Sequence, residues 1–237
     1  MKIITTNNYN EMSKLASNHI TKLLLQGEEK KNFALATGNS PTGTYKEYIK
    51  NINNGLLKEK VNYLNIDEYY RVDLNAPGTC RRYLKENFCN LINTNENYIF
   101  IDEENYTNYD NMIEEMGGLD LTILGIGENG HIAYNEPNTK FNSMTHKQKL
   151  TKESKLQHGE EFGGEDLVPD YAITIGIKSI MNSKNIILLA SGTKKAEIVK
   201  KSLFGEITEE IPASILQLHP NLTVILDKDA ANLIESN

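Results

Sequence analysis

The chain has 237 residues with a net charge of −7, 39% hydrophobic and 24% charged residues, and two cysteines, Cys80 and Cys89. That length suits one α/β domain with a core that needs neither disulfides nor structural metal. The acidic balance argues against a nucleic-acid partner, which requires a basic face, and two cysteines are too few for a disulfide framework and fit a reducing compartment.

The N-terminal "MKIITTNNYNEMSK" lacks the apolar centre of a signal peptide, and no apolar run approaches membrane-spanning length. The expectation is a soluble cytoplasmic protein with no membrane partner. Met12, Leu15, Ala16, His19, Ile20, Leu23 and Leu24 recur at helical spacing and predict an amphipathic helix. "NFALAT" reads as a strand, then "TGTYKEYIKNI" as a helix, and "VNYLNIDEYY" as one buried strand ending in acids. "YLKENFCNLI" predicts a helix, "NYIFID" a strand and "NYDNMIEEM" a helix. "LDLTILGIG", "YAITIGI", "KNIILLAS" and "LTVILD" are further β-rich runs, with "TKKAEIVKKSLF" and "DAANLIES" as late helices. Strands alternating with helices imply an α/β, three-layer, Rossmann-like fold: a mostly parallel central sheet covered on both faces, in one domain spanning 1–237.

Residues 138–170 break that rhythm. The segment is polar, carries Gly163-Gly164, and shows little periodicity beyond a short helix around Leu150 to Leu156. Long polar excursions in compact domains are functional or disordered, and this one is expected to be a lid.

Ligands of open α/β sheets bind at the carboxyl ends of the strands, and four loops there carry chemistry. In "ATGNSPTG", Pro41 suits a first helical position and Ser40 the cap before it, leaving backbone N–H groups around Gly38 to Ser40 as a phosphate cradle or a plain turn. In "NIDEYY", Asp67 and Glu68 alternate across a strand, so one of them at most enters a given site and the other is a cap or a solvated group. "GIGENGHIAYNEP" matches G-x-G-x-x-G through Gly125, Gly127 and Gly130. A dinucleotide site requires a helix after the last glycine and an acid about twenty residues on. "HIAYNEPNTKFNS" is a poor helix and no such acid follows, so no nicotinamide cofactor is expected. What remains is Asn129, His131 and Glu136 within eight residues: an imidazole with a carboxylate in reach, the parts of an acid/base pair. The five histidines are scattered and show no H-E-x-x-H spacing, so no metal site is expected. In "ASGTKKAEIVKK", Thr193 is placed to cap a helix whose first turn holds Lys194 and Lys195, cations that a bound phosphate would neutralise.

Taken together, "LATGNSPTGTY", "NIDEYY", "GIGENGHIAYNEP", "SGTKKA" and "IPASILQLH" resemble the glucosamine/galactosamine-6-phosphate isomerase family, the amino-sugar-6-phosphate deaminases, over about Met1 to Asp227. "PGTC", "GGLDL" and "QH" at Gln157-His158 look closer to the galactosamine branch. The resemblance implies isomerisation with deamination of a hexosamine 6-phosphate, galactosamine 6-phosphate ahead of glucosamine 6-phosphate, to a ketohexose 6-phosphate and ammonia, without metal or organic cofactor. It makes Asp67 the enolisation base and His131 the ring-opening acid/base, assisted by Asn129 and Glu136. Thr37, Gly38, Asn39, Ser40 and Lys195 would hold the phosphate. The small-molecule partner is a sugar phosphate, and the short C-terminus favours a monomer or small homo-oligomer. Two departures stand out. The ring-opening partner, often Asp in larger members of the family, is Asn129 here, as in its shorter members. In the lid, the family's phosphate-binding Arg falls, without gaps, at Glu160, leaving His158, Lys155 or another cation to compensate, and the upstream "S-R-T" reads "S-M-T" with Met144. A 6-phosphogluconolactonase-like hydrolase and a non-catalytic sugar-phosphate sensor are the alternatives.

Overall fold

The computed structural model describes residues 1–26, 29–56, 61–92 and 97–234. The chain begins with β1 (Lys2–Thr6), α1 (Tyr9–Leu24), β2 (Lys31–Leu35), α2 (Asn39–Asn51), β3 (Val61–Asn65), β4 (Asp67–Tyr69), α3 (Cys80–Asn87), β5 (Asn97–Ile99), α4 (Tyr109–Glu115) and β6 (Leu121–Leu124). It continues through β7 (His146–Lys149), α5 (Lys152–Phe162), β8 (Tyr171–Thr174), α6 (Ile177–Met181), β9 (Ile186–Ala190), α7 (Ala196–Phe204), β10 (Leu222–Asp227) and α8 (Lys228–Ala231).

Seven strands form one sheet in the order β1-β10-β9-β6-β2-β3-β5, with every pair parallel. Side chains alternate across it with the period of a strand. Phe33, Leu35, Tyr63, Ile123 and Ile187 enter one core with Met12, Ala16 and Ile20 of α1, Tyr45 and Tyr48 of α2, and Leu84 of α3. Ala34, Leu64, Leu124, Leu188 and Val224 enter the other with Tyr109 and Ile113 of α4, Ile180 of α6 and Val199 of α7. The architecture is therefore the expected three-layer α/β fold in a single domain. Helix α1 shows how locally this is encoded. Asn8 accepts from the Glu11 N–H (3.0 Å) and Glu11 accepts from the Asn7 N–H (3.1 Å), closing the first turn, and Met12, Ala16, Ile20 and Leu24 then bury one stripe. Each large member of that stripe contributes roughly 1.5–3 kcal/mol by leaving water.

Several expectations need correction. "VNYLNIDEYY" is two strands, not one: β3 belongs to the large sheet, and after Ile66 the chain enters a second, three-stranded antiparallel sheet in the order β4-β8-β7. The aperiodic segment 138–170 holds β7 and the eleven-residue α5. Strand β7, "HKQK", was invisible to a hydrophobic pattern because it is an edge strand with alternately half-buried and exposed polar residues. Strand β1, which the sequence pattern also did not mark, is one edge of the large sheet, with β5 at the other. The helix expected over "YLKENFCNLI" starts earlier, at Cys80, and ends at Asn87, followed by a 3-10 turn over Cys89–Leu91. In "YAITIGI" only Tyr171–Thr174 is strand. Of "DAANLIES", Asp229–Ala231 belong to α8, while Glu235 and Ser236 lie outside the described residues.

The strand order reverses between β2 and β6: from β2 the chain proceeds outward through β3 and β5, then returns to β6 on the other side. Loops leaving the carboxyl ends of these two strands must diverge, which opens a crevice at that point. The "ATGNSPTG" and "GIGENGH" loops are those loops.

Candidate active site

A cleft of about 230 Å³ lies at this switch point. Thr37, Gly38, Asn39 and Ser40 line it from the end of β2, Asp67 from the start of β4, His131 from the loop after β6, and Lys195 from the loop after β9. Seven of the nine candidate residues therefore share one cavity, and Asn129 and Glu136 stand behind His131.

The phosphate-loop candidate differs in detail from its sequence reading. Helix α2 begins at Asn39, two residues before Pro41, so Ser40 is not its cap. The cap is Gly38, with a φ of +94° that glycine adopts without penalty and no side-chain hydrogen bond to the first turn. The first amides of α2 thus have no side-chain partner from the cap and remain available to an anion. Gly38 is itself held by its carbonyl, which accepts from Thr42 Oγ1 and Tyr83 Oη, both at 2.8 Å. Thr193 likewise does not cap α7: it opens a 3-10 turn over Thr193–Lys195, and Lys195 occupies the cap position. Burial pushes the Lys195 ammonium down from its ordinary range, with Glu128 opposing the shift and Lys194 adding to it. A cation in that state gains more from an anionic partner than an exposed one does.

Asp67 and Glu68 separate as strand alternation requires. Glu68 is fully buried and accepts from the amides of Tyr69 (2.8 Å), Cys80 (3.0 Å) and Arg81 (2.7 Å), tying β4 to the first turn of α3. Asp67 faces the cleft, is 5% exposed, and its Oδ1 has no hydrogen-bond partner. Burial raises its carboxyl to about 7, with the Cys80 thiol and His158 opposing and Glu68 reinforcing the shift. A carboxylate in that condition is a stronger base than one in water.

The loop after β6 is built around His131. No helix follows Gly130; the next residues form a bridge between Ile132 and Asn135 instead, so the dinucleotide pattern lacks its structural context here as well. Gly127 accommodates the imidazole: a Cβ at that position would fall on the His131 ring. Asn129 Oδ1 accepts from the His131 N–H (3.1 Å), and Asn129 Nδ2 donates to Glu136 Oε2 (2.9 Å). Glu136 Oε2 lies 3.7 Å from His131 Nδ1. Burial, with smaller contributions from His158 and Lys195, lowers the His131 imidazole to about 3, so it is neutral near pH 7. Ala133, another residue of the cleft wall, has a φ of +50°, a conformation that costs a non-glycine residue on the order of 1 kcal/mol.

The segment 138–170 contributes His158, expected as a candidate compensating cation, together with residues to which the sequence assigns no role. Gln157, His158 and Glu161 of α5 line the cleft, and Phe162 docks the helix edge-on against Tyr69 with centroids 4.7 Å apart. Glu160, the ungapped counterpart of the family's Arg, is exposed and is not among the lining residues. Lys155 pairs with Asp170 at 2.8 Å, whereas His158 lines the cleft, with its Nδ1 3.0 Å from Glu161 Oε2. Helical spacing from Ser154 through Gln157, His158 and Glu161 was the signal for this face. Among the described residues, no group of three or more His, Cys, Asp or Glu side chains could hold a metal ion, and no helix is long and apolar enough to cross a membrane.

The family described as glucosamine-6-phosphate isomerases/6-phosphogluconolactonase matches residues 8–225. A glucosamine-6-phosphate deaminase from Clostridium acetobutylicum is 44% identical over 242 aligned residues, covering 99% of this chain and 100% of its own. The solved structure of a monomeric glucosamine-6-phosphate deaminase superposes with a TM-score of 0.93 at 34% identity, covering 98% of this chain and 100% of that one. A 6-phosphogluconolactonase from Trypanosoma cruzi shares the fold, with a TM-score of 0.76 at 18% identity over 98% of this chain and 96% of its own.

Proposed function

Because the chain belongs to the glucosamine-6-phosphate isomerase and 6-phosphogluconolactonase family, we propose that it converts a hexosamine 6-phosphate and water to a ketohexose 6-phosphate and ammonia. The observation that carries this reading is the buried Asp67 carboxylate, whose Oδ1 has no hydrogen-bond partner, sharing a cleft with a neutral His131. Aldose–ketose conversion needs one base to move a carbon-bound proton and one group to move a hydroxyl proton, and these two meet that need. The neutral imidazole takes the anomeric hydroxyl proton and passes it to the ring oxygen as the C1–O5 bond breaks, giving the open-chain aldehyde. Asp67 then removes the proton from C2, giving an enol, and returns a proton to C1. The resulting C2 imine is hydrolysed to the ketone, and nitrogen leaves as ammonia. Asn129 and Glu136 hold His131 in register.

The free amides of α2 from Gly38 onward, with Thr37 and Lys195, bind the 6-phosphate, so the helix dipole and the ammonium act on the same anion. Residues 138–170 serve as the lid, with α5 covering the cleft. No organic cofactor enters the chemistry. The cytoplasmic assignment stays with this reading, and the monomeric relative supports a monomer over a small homo-oligomer.

Lactone hydrolysis would leave Asp67 without a task, so deamination is the stronger reading. Between epimers, the galactosamine features at Pro77–Cys80, Gly117–Leu121 and Gln157-His158 compete with relatives that bear glucosamine names at 41–44% identity. We place glucosamine 6-phosphate first. Ammonia release measured on both epimers tests the order: a higher kcat/KM for galactosamine 6-phosphate reverses it.

A further inference from the structure

The first turn of α5 reaches behind the cleft to His131, and it does so through two hydroxyls. Glu136 faces His131 Nδ1, but at 3.7 Å its Oε2 is beyond hydrogen-bond length. Its two oxygens are also engaged elsewhere: Oε2 accepts from Asn129 Nδ2 at 2.9 Å, and Oε1 accepts from the Thr151 N–H at 3.2 Å and Thr151 Oγ1 at 3.3 Å. The group within hydrogen-bond reach of Nδ1 is Ser154 Oγ, at 3.4 Å, on a side chain that is 1% exposed. Thr151 Oγ1 lies 3.2 Å from Ser154 Oγ, so the two hydroxyls span the gap between imidazole and carboxylate.

We infer that Ser154, acting with Thr151, is a positioning residue that fixes the tautomer of His131. The Glu136 carboxylate, 3.7 Å from Nδ1, favours a proton on that nitrogen. Ser154 Oγ, which also accepts from Thr151 Oγ1 at 3.2 Å, is the acceptor within reach of that Nδ1–H. That tautomer leaves Nε2 without a proton, the form a base needs. When Nε2 takes a proton, Nδ1–H keeps its acceptor and the imidazolium is stabilised through the same contacts. Helix capping does not explain the Ser154 hydroxyl: the cap bond runs from the Ser154 N–H to Thr151 Oγ1 at 3.2 Å and leaves Ser154 Oγ unused. Removing that hydroxyl should therefore spare the helix. The inference rests on the reading of His131 as the acid/base given above.

The test pairs ring nitrogen NMR of His131 in ligand-free protein with steady-state ammonia release, on wild type, Ser154→Ala, Ser154→Thr and the near-isosteric Ser154→Cys. The expected wild-type ring carries its proton on Nδ1. Ser154→Ala mixes the tautomers and lowers kcat by about 10- to 100-fold, with KM within about twofold, as expected when an imidazole loses its orienting partner. Ser154→Thr restores both, and Ser154→Cys falls between and guards against a folding defect in the alanine variant. A folded Ser154→Ala or Ser154→Cys protein with wild-type tautomer and kcat overturns the inference. So does Ser154→Thr behaving like Ser154→Ala, which would indicate packing rather than a hydroxyl. A wild-type protein that releases no ammonia while Ser154→Ala still shifts the tautomer would sink the functional reading and leave the positioning role standing.

Discussion

Asp67 and Glu68 are adjacent on β4, and their carboxylates are treated in opposite ways by the fold. Glu68 receives three backbone amides, whereas Asp67 Oδ1 receives no hydrogen bond at all. One residue is spent on joining β4 to α3; the other is left with its charge poorly solvated beside the cleft. The substitutions Asp67→Asn and Glu68→Gln should therefore separate activity from stability. Burial raises Asp67 from 3.8 to about 7, so the native state holds this proton more tightly than the unfolded chain. The resulting stability is full below pH 4 and is lost as pH rises through 7. Asp67→Asn should then be more stable than wild type at pH 8, by on the order of 1–3 kcal/mol, and nearly equal to it at pH 4. Its ammonia release should fall by roughly 100- to 10,000-fold. Glu68→Gln turns an N–H donor toward backbone donors and should lose about 1–3 kcal/mol of stability while keeping measurable turnover. Denaturation at the two pH values, with activity, checks both.

The pH dependence of kcat/KM should show an acid limb centred near 7, set by deprotonation of Asp67 in the free enzyme. His131, lowered to about 3, should add no limb between pH 5 and 9. After correction for titration of the substrate itself, a limb near 4 would place Asp67 in a more solvated state than its burial implies.

Gly127 is required by the ring it faces, not by its own φ. A methyl group there would displace the His131 imidazole. Gly127→Ala should lower kcat at least about 100-fold through misplacement of the acid/base, with a near-native circular dichroism spectrum. Unchanged activity would mean that the imidazole can move without consequence.

Lys195→Ala should act on binding. Loss of a charge-assisted contact of about 1.5–3 kcal/mol corresponds to roughly a 10- to 100-fold rise in KM, with kcat much less affected. Inorganic phosphate, as a competitive inhibitor, should weaken in parallel. A change confined to kcat would remove Lys195 from the phosphate site.

Much of this was legible in the sequence because it is periodic or locally coded. The large sheet follows from "NFALAT", "LDLTILGIG", "KNIILLAS" and "LTVILD", whose continuous apolar runs only a doubly covered sheet can bury. The switch-point loops follow from glycines and prolines at strand ends. The small sheet was hidden because β7 is polar and β4 is three residues long and follows β3 after a single residue. The role of α5 was hidden for another reason: Ser154, Gln157 and Glu161 gain meaning only from what tertiary folding brings opposite them. Placing Ser40 and Thr193 as caps failed by one or two residues, the usual resolution of helix ends. At both places a glycine, Gly38 or Gly192, occupies the turn instead, each with a φ near +90°.

The central claim, that the cleft carries out deamination through proton transfer, is tested most directly by giving the purified wild-type protein glucosamine 6-phosphate, galactosamine 6-phosphate and 6-phosphogluconolactone in parallel. The account predicts ammonia and ketohexose 6-phosphate in equal amounts from an amino sugar, and lactone hydrolysis at the uncatalysed rate. Accelerated lactone hydrolysis with no ammonia from either epimeric hexosamine 6-phosphate would contradict it.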